Sequence, residues 1–282
     1  MNTKTKVARL SIISNTLLII MKLVVGILSG SVSIISEAIH SSMDLIAALI
    51  AFFAVKVSDY PPDTRHPYGH GKVENVSGVI EAILIFVAAI WIIVEAIKKL
   101  TGEEILLEKI WIGSLIMIIS ATINVIVSRR LYKVARETHS VALEADALHL
   151  KTDVYTSAGV AVGLILILIT DVKWLDPVVA ILVAFFIIKE SFSLLRRAFW
   201  PLLDSAWGDE EIEGLERKLN EMEVNYHDLR TRVAGNYRFI DIHVEIPENE
   251  SVGNAHKYCD MIENELTASY ENLTVTIHVE PK

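Results

Sequence analysis

The sequence predicts an α-helical membrane protein with six transmembrane helices, followed by a smaller C-terminal α+β domain. Three observations predict it. Hydrophobic residues make up 52% of the 282 positions, and the mean hydropathy of +0.44 is high for a soluble domain. Apolar runs near the ~20 residues needed to cross a bilayer recur through the first 200 positions. After Asp204 those runs stop and charged residues take over. The boundary is placed there, giving a membrane domain over 1–204 and a second domain over 205–282.

The six spans are expected at roughly 8–30, 33–56, 74–99, 108–133, 143–171 and 174–199. The first run is too long, and lacks the small-residue cleavage site, for a signal peptide. Lys4, Lys6 and Arg9 precede it. Lys56, Arg65 and Lys72 surround the second-to-third loop. Arg129, Arg130, Lys133 and Arg136 follow the fourth run, and Arg196 and Arg197 close the sixth. In the opposite loops Lys98, Lys99, Lys109 and Lys173 are diluted by Glu103, Glu104 and Asp171. The positive-inside rule therefore puts both termini and the tail in the cytoplasm. Gly26 and Gly30 form a Gly-x-x-x-Gly pair, which allows close helix packing.

The tail reads helix, strand, strand, helix, strand. Residues 209–223 open with Asp209, Glu210 and Glu211, which suit a helix N-terminus. Residues 227–234 and 237–246 flank Gly235-Asn236, a hairpin signal. Residues 252–269 look helical and 273–280 alternate strictly, with Leu273, Val275, Ile277 and Val279 as the apolar face. At about 75 residues the core of such a domain is modest, so support from a partner or a metal is expected.

Charge and cysteine content exclude some classes. The tail carries 17 Asp/Glu against 7 Lys/Arg, a balance of −10, while the first 204 residues balance at +1, giving the net −9. An acidic tail attracts cations and does not suit nucleic acid. The single cysteine, Cys259, rules out a disulfide frame and a thiolate cluster.

The nine histidines carry the chemistry. His40 and Asp44 in the second run, and His149 and Asp153 in the fifth, form two His-x-x-x-Asp pairs, each on one helix face. Facing each other, they present two imidazoles and two carboxylates, a tetrahedral N/O set suited to Zn²⁺. Ionisable groups in a bilayer cost about 2.5–3.5 kcal/mol each on insertion scales, which disfavours a packing role for all four. Glu37 and Asp146 lie three residues before each His, as acceptors orienting the imidazoles or as interfacial groups. In the loop, Asp63, His66 and His70 either close on one cation or are ordinary solvated residues. In the tail, strand alternation brings His227, His243, His278 and Glu280 to one surface, unless these are scattered surface groups. His256 on the second tail helix has no place fixed by pattern, and His139 reads as a surface residue.

These segments resemble the cation diffusion facilitator family, especially its bacterial zinc and iron exporters. The resemblance spans nearly the whole chain. It is carried by Gly30-Ser31-Val32-Ser33 leading to His40-x-x-x-Asp44, by the run His66 to Glu74, and by Asp146-Ala147-Leu148-His149-x-x-x-Asp153. In the tail it is carried by His227 to Arg232, Ile242-His243-Val244-Glu245 and Ile277-His278-Val279-Glu280-Pro281. The resemblance implies a homodimer with a six-helix membrane domain and a ferredoxin-like cytoplasmic domain, in a prokaryotic inner membrane. It implies a transport site at His40, Asp44, His149 and Asp153, and a loop site at Asp63, His66 and His70. It also implies a binuclear tail site from His227, His243, His278 and Glu280, with His256 contributed across the dimer. Lys72 and Asp204 match positions of a charge interlock at the dimer interface. Two departures stand out. His40 replaces an Asp frequent in the zinc/iron members, which favours zinc over harder metals. Glu280 replaces an Asp, and its extra methylene shifts a bridging carboxylate.

The expected activity is efflux of a divalent metal, Zn²⁺ first, in exchange for protons, with Zn²⁺ also structural or regulatory in the tail. Fe²⁺, Mn²⁺, Cd²⁺ and Co²⁺ are alternative cargoes. A membrane metalloprotease would need a His-Glu-x-x-His helix, which the sequence lacks. A metal sensor that keeps the fold without transporting would have no need of the intramembrane His/Asp set.

Overall fold

The computed structural model describes residues 3–29, 32–101, 110–170, 172 and 174–282. Side chains are undescribed at 29, 32–34, 36–37, 40, 43, 99, 110–114, 117, 160–168 and 176. Gly30, the side chains of Glu37, His40 and Lys99, and Glu103, Glu104, Lys109, Asp171 and Lys173 thus lie outside the described residues. The chain divides into two compact units, Met1–Phe199 and Trp200–Lys282.

Among the described residues, the first unit consists of six long helices: α1 (Thr3–Ser29), α2 (Val32–Ser58), α3 (Lys72–Leu100), α4 (Ile110–Thr138), α5 (Val141–Thr170) and α6 (Leu175–Phe199). Each has 25 to 30 residues, enough for a bilayer at 1.5 Å per residue. Among the described residues, three segments are also apolar enough to cross by composition alone, Thr3–Leu28, Lys72–Lys98 and Pro177–Leu203.

Among the described residues, two small-residue cores hold this unit. Ala8, Ala54, Val55, Leu131 and Leu143 join α1, α2, α4 and α5. Ala82, Ile85, Ala145, Ile187 and Leu194 join α3, α5 and α6. Alanine at these crossings lets the helices approach closely, where dispersion contacts rather than water drive association.

α1 begins at Thr3, which puts Lys4 inside the helix. Lys4 is 2% exposed. Its Nζ lies 2.8 Å from Asp59 and 2.9 Å from Glu74. Glu74, at 0% exposure, also accepts from Ser58 (2.7 Å) and Ser140. The ammonium is buried because two carboxylates replace its water, while two hydroxyls donate to the buried Glu74. The arginines expected after the fourth span lie in the last turns of α4, which runs to Thr138.

The second unit opens with a 3-10 turn (Trp200–Leu203), then α7 (Asp209–Glu221), β1 (Tyr226–Ala234), β2 (Tyr237–Ile246), α8 (Val252–Ser269) and β3 (Leu273–Pro281). The two-residue turn after β1 has Gly235 at φ 61°, which the Gly-Asn pair supplies readily. Strand order is β1-β2-β3, with β1 antiparallel and β3 parallel to β2. This is the ferredoxin-like β-α-β-β-α-β order without its first strand. Ile240, Ile242 and Val244 pack under Leu215 and Leu219 of α7 and Ile262 and Leu266 of α8. Val279, expected in the apolar face, is 40% exposed, because β3 is an edge strand whose end leaves the helical cover.

Candidate metal centres

α2 and α5 pack together and present Asp44, His149 and Asp153 to one point. One ligand atom from each lies within 4.8 Å of the others. Asp44 is 6% exposed, and its Oδ1 is 3.1 Å from His149 Nε2, within hydrogen-bond distance. Asn124 of α4 reaches Asp153 Oδ2 at 3.5 Å, and Asn15 of α1 reaches the Asp44 carbonyl at 3.4 Å. His40 stands one helical turn before Asp44 on α2.

The pattern of spacing did not single out Glu81 of α3. It is fully buried and accepts from Ser77 at 3.3 Å. Asp146 is also fully buried and accepts from Ser11 at 3.1 Å. Among the described residues, Glu81 Oε2, Asp146 Oδ2 and His149 Nδ1 are buried polar atoms without a hydrogen-bond partner. The sequence signal for Glu81 is an acid in mid-run, within Val79-Ile80-Glu81-Ala82-Ile83. Asn124 has no such signal, since an isolated Asn in a span is ambiguous.

In the loop between α2 and α3, Asp63 organises the chain. Its Oδ1 accepts the backbone N–H groups of Arg65 at 2.8 Å and His66 at 2.7 Å. The hydrogen bond from the His66 amide foremost, with that of Arg65, holds its carboxyl below the ordinary Asp value. His66 Nδ1 lies 3.2 Å from Oδ1, and His70 Nε2 lies 3.4 Å from Oδ2. The three groups therefore gather at one place. Gly69 at φ 85° allows the tight return between the two histidines.

In the tail, strand register aligns the imidazoles. His227 pairs with His243 across β1–β2, and His243 with His278 across β2–β3. A bulge between His227 and Arg230, with Asp228 at φ 47°, sets His227 opposite His243. Glu280 Oε2 lies 3.1 Å from His227 Nε2, and its Oε1 lies 3.1 Å from His243 Nδ1 and 3.5 Å from His278 Nε2. His227, His243 and Glu280 form the tightest group. His256 does not join it within the chain. It is exposed on α8, 3.8 Å from Asp260. His139 is exposed at the turn between α4 and α5, with φ 50°. Asp204, at φ 54°, pairs with Arg232 at 3.5 Å.

The profile of the cation efflux transmembrane domain matches residues 8–203. The chain belongs to the cation efflux, or cation diffusion facilitator, family. The profile of the cation efflux cytoplasmic domain matches residues 208–282. Among relatives, an uncharacterised transporter of Synechocystis sp. is 34% identical over 90% of this chain and 83% of its own. The cation-efflux pump FieF of Shewanella oneidensis is 29% identical over 97% and 93%. An uncharacterised transporter of Methanocaldococcus jannaschii is 30% identical over 96% of both chains. As a cation efflux protein the chain is a membrane transporter of divalent metal and not an enzyme. Its tail is the family's dimer-forming domain.

Proposed function

We propose that the chain exports Zn²⁺ from the cytoplasm in exchange for protons, by alternating access, as a homodimer in a prokaryotic inner membrane with both termini cytoplasmic. The observation that carries this reading is the convergence of Asp44, His149 and Asp153, with ligand atoms within 4.8 Å of one another. His40 is the proposed fourth ligand. An imidazole and carboxylate set suits Zn²⁺ better than Mn²⁺ or Mg²⁺. Asp44 and His149, the groups that would bind the cargo, are also the pair within proton-sharing distance. Metal binding needs a neutral imidazole and ionised carboxylates, so metal and protons compete for these atoms. An imidazole in water titrates near pH ~6.5, so the exchange is feasible across a physiological proton gradient.

The loop group Asp63, His66 and His70 is proposed as a second metal site. The tail group His227, His243, His278 and Glu280 is proposed as a regulatory one, with His256 donated by the partner subunit. Three imidazoles with one carboxylate fit Zn²⁺ chemically.

The test is metal uptake into proteoliposomes under an imposed pH gradient, with Zn²⁺, Fe²⁺, Cd²⁺, Co²⁺ and Mn²⁺ compared and Asp153→Ala as control. Gradient-dependent Zn²⁺ flux, lost in the variant, is the expected result. Flux of every metal unaffected by Asp153→Ala would remove the site assignment. No flux from folded dimer would turn the reading toward a sensor that keeps the fold.

A further inference from the structure

A cavity of about 900 Å³ lies among α4, α5 and α6, and none of the candidate metal ligands lines it. α4 lines it with Arg129, Tyr132 and Arg136, three and four residues apart and so on one helix face. α5 adds Lys151 and Tyr155, one turn apart. In all, five cationic side chains face three carboxylates there. Two of the cations are matched. Arg197 binds Glu144 at 2.9 Å, and Lys133 lies 3.9 Å from Glu137. Arg129 and Arg136 have no ion pair among the described residues. Lys151 sits between the ring faces of Tyr132 and Tyr155, at 5.6 and 5.3 Å. Among the described residues lining the cavity, Glu190 is the one carboxylate left to set against these three cations.

We propose that this cavity binds the phosphate of an anionic phospholipid headgroup. Guanidinium groups grip phosphate oxygens through paired N–H donors, and the Tyr132 and Tyr155 hydroxyls add donors beside them. An excess of positive charge repels a divalent metal, so the cavity is no branch of the transport path. Apolar surface continues from it. The Tyr155 ring packs edge-on against Phe186 at 5.2 Å, and Phe186 and Ile126 are 45% and 54% exposed. A polar cavity that grades into exposed apolar helix matches an amphiphile better than a free anion. Basic pockets between helices at the cytoplasmic face are where anionic headgroups bind. Placing the site in that leaflet rests on the membrane orientation proposed above, whereas phosphate binding itself does not.

The test is native mass spectrometry of the full-length protein in micelles doped with phosphatidylglycerol or phosphatidylcholine. The wild type is expected to retain phosphatidylglycerol at least fivefold over phosphatidylcholine. Arg129→Gln/Arg136→Gln and, separately, Lys151→Gln are expected to lose that preference with little change in melting temperature. Equal retention of the two lipids by the wild type, or an unchanged preference in both variants, would overturn the proposal. Displacement of phosphatidylglycerol by equimolar inorganic phosphate would overturn the lipid assignment in favour of a soluble anion. No metal flux enters this readout, so a failed transport assay leaves it standing. Orientation is checked apart, by labelling Cys259 with an impermeant thiol reagent in inverted and right-side-out vesicles. Labelling only in inverted vesicles is expected, and the reverse would overturn the leaflet placement.

Discussion

Glu280 spans the tail cluster because its side chain is long enough. From β3 it touches His243 on the neighbouring strand and His227 one strand further, both at 3.1 Å. A shorter carboxylate at this position would reach β2 and fall short of β1. Glu280→Asp should therefore weaken Zn²⁺ binding at the tail by roughly ten- to a hundredfold, the range seen when groups that orient metal ligands are lost. Titration calorimetry with Zn²⁺ on the full-length protein measures it, and wild-type affinity would show that Glu280 is not a shared ligand. Asp63 makes a different case, because its partners are backbone amides. A carboxyl held below its ordinary value in the folded state stabilises the loop above its unfolded titration range. That contribution is lost as pH falls through the folded value. The amides of Arg65 and His66 should stay protected from pH 7 to pH 5 and exchange faster only below about pH 4. Loss of protection near pH 6 would show that the histidines, not Asp63, hold the loop.

At the scale of elements, what the sequence discloses depends on how local the signal is. Strand alternation around Ile240, Ile242 and Val244, together with Gly235-Asn236, located the tail strands almost to the residue, because pleat and turn chemistry repeat over two residues. The His-x-x-x-Asp spacing likewise put Asp44 and the His149–Asp153 pair on facing sides of α2 and α5. Helix ends were less legible, since an apolar run does not mark where a helix overshoots the bilayer. Lys4 shows why. Its partners Asp59 and Glu74 are 55 and 70 residues away, and no local pattern joins them. The cluster also ties the start of α1 to the end of α2, the start of α3 and, through Ser140, the turn into α5. Lys4→Met would leave Glu74 charged, buried and short of its cation, at a cost of about 3–5 kcal/mol. The melting temperature should fall by on the order of 10 °C. A variant melting within experimental error of the wild type would mean that water or Asp59 rearrangement compensates.

Across the whole molecule, the two units meet the same difficulty by different means. The helical unit buries Glu74, Glu81 and Asp146, and meets the Glu74 charge with Lys4, Ser58 and Ser140 from other parts of the unit. The tail has about 80 residues and a correspondingly modest core. Its core occupies one face of the sheet, around Ile240, Leu215 and Leu266. The opposite face carries His227, His243, His278 and Glu280 across all three strands. A metal bound there would cross-link β1 to the edge strand β3, which only β2 otherwise joins. At a Zn²⁺ concentration a hundredfold above its dissociation constant, binding to the folded form alone adds about 2.7 kcal/mol. Hydrogen exchange on the full-length protein should therefore slow with Zn²⁺ at Tyr226–Asp228 and at Ile277–Glu280. Chelator should reverse the change, and His243→Ala should abolish it. α1, which carries none of these ligands, serves as the internal reference. Equal slowing in α1 and the tail strands would assign the effect to the helical unit. Slowing that survives His243→Ala would place the metal away from the three-strand cluster.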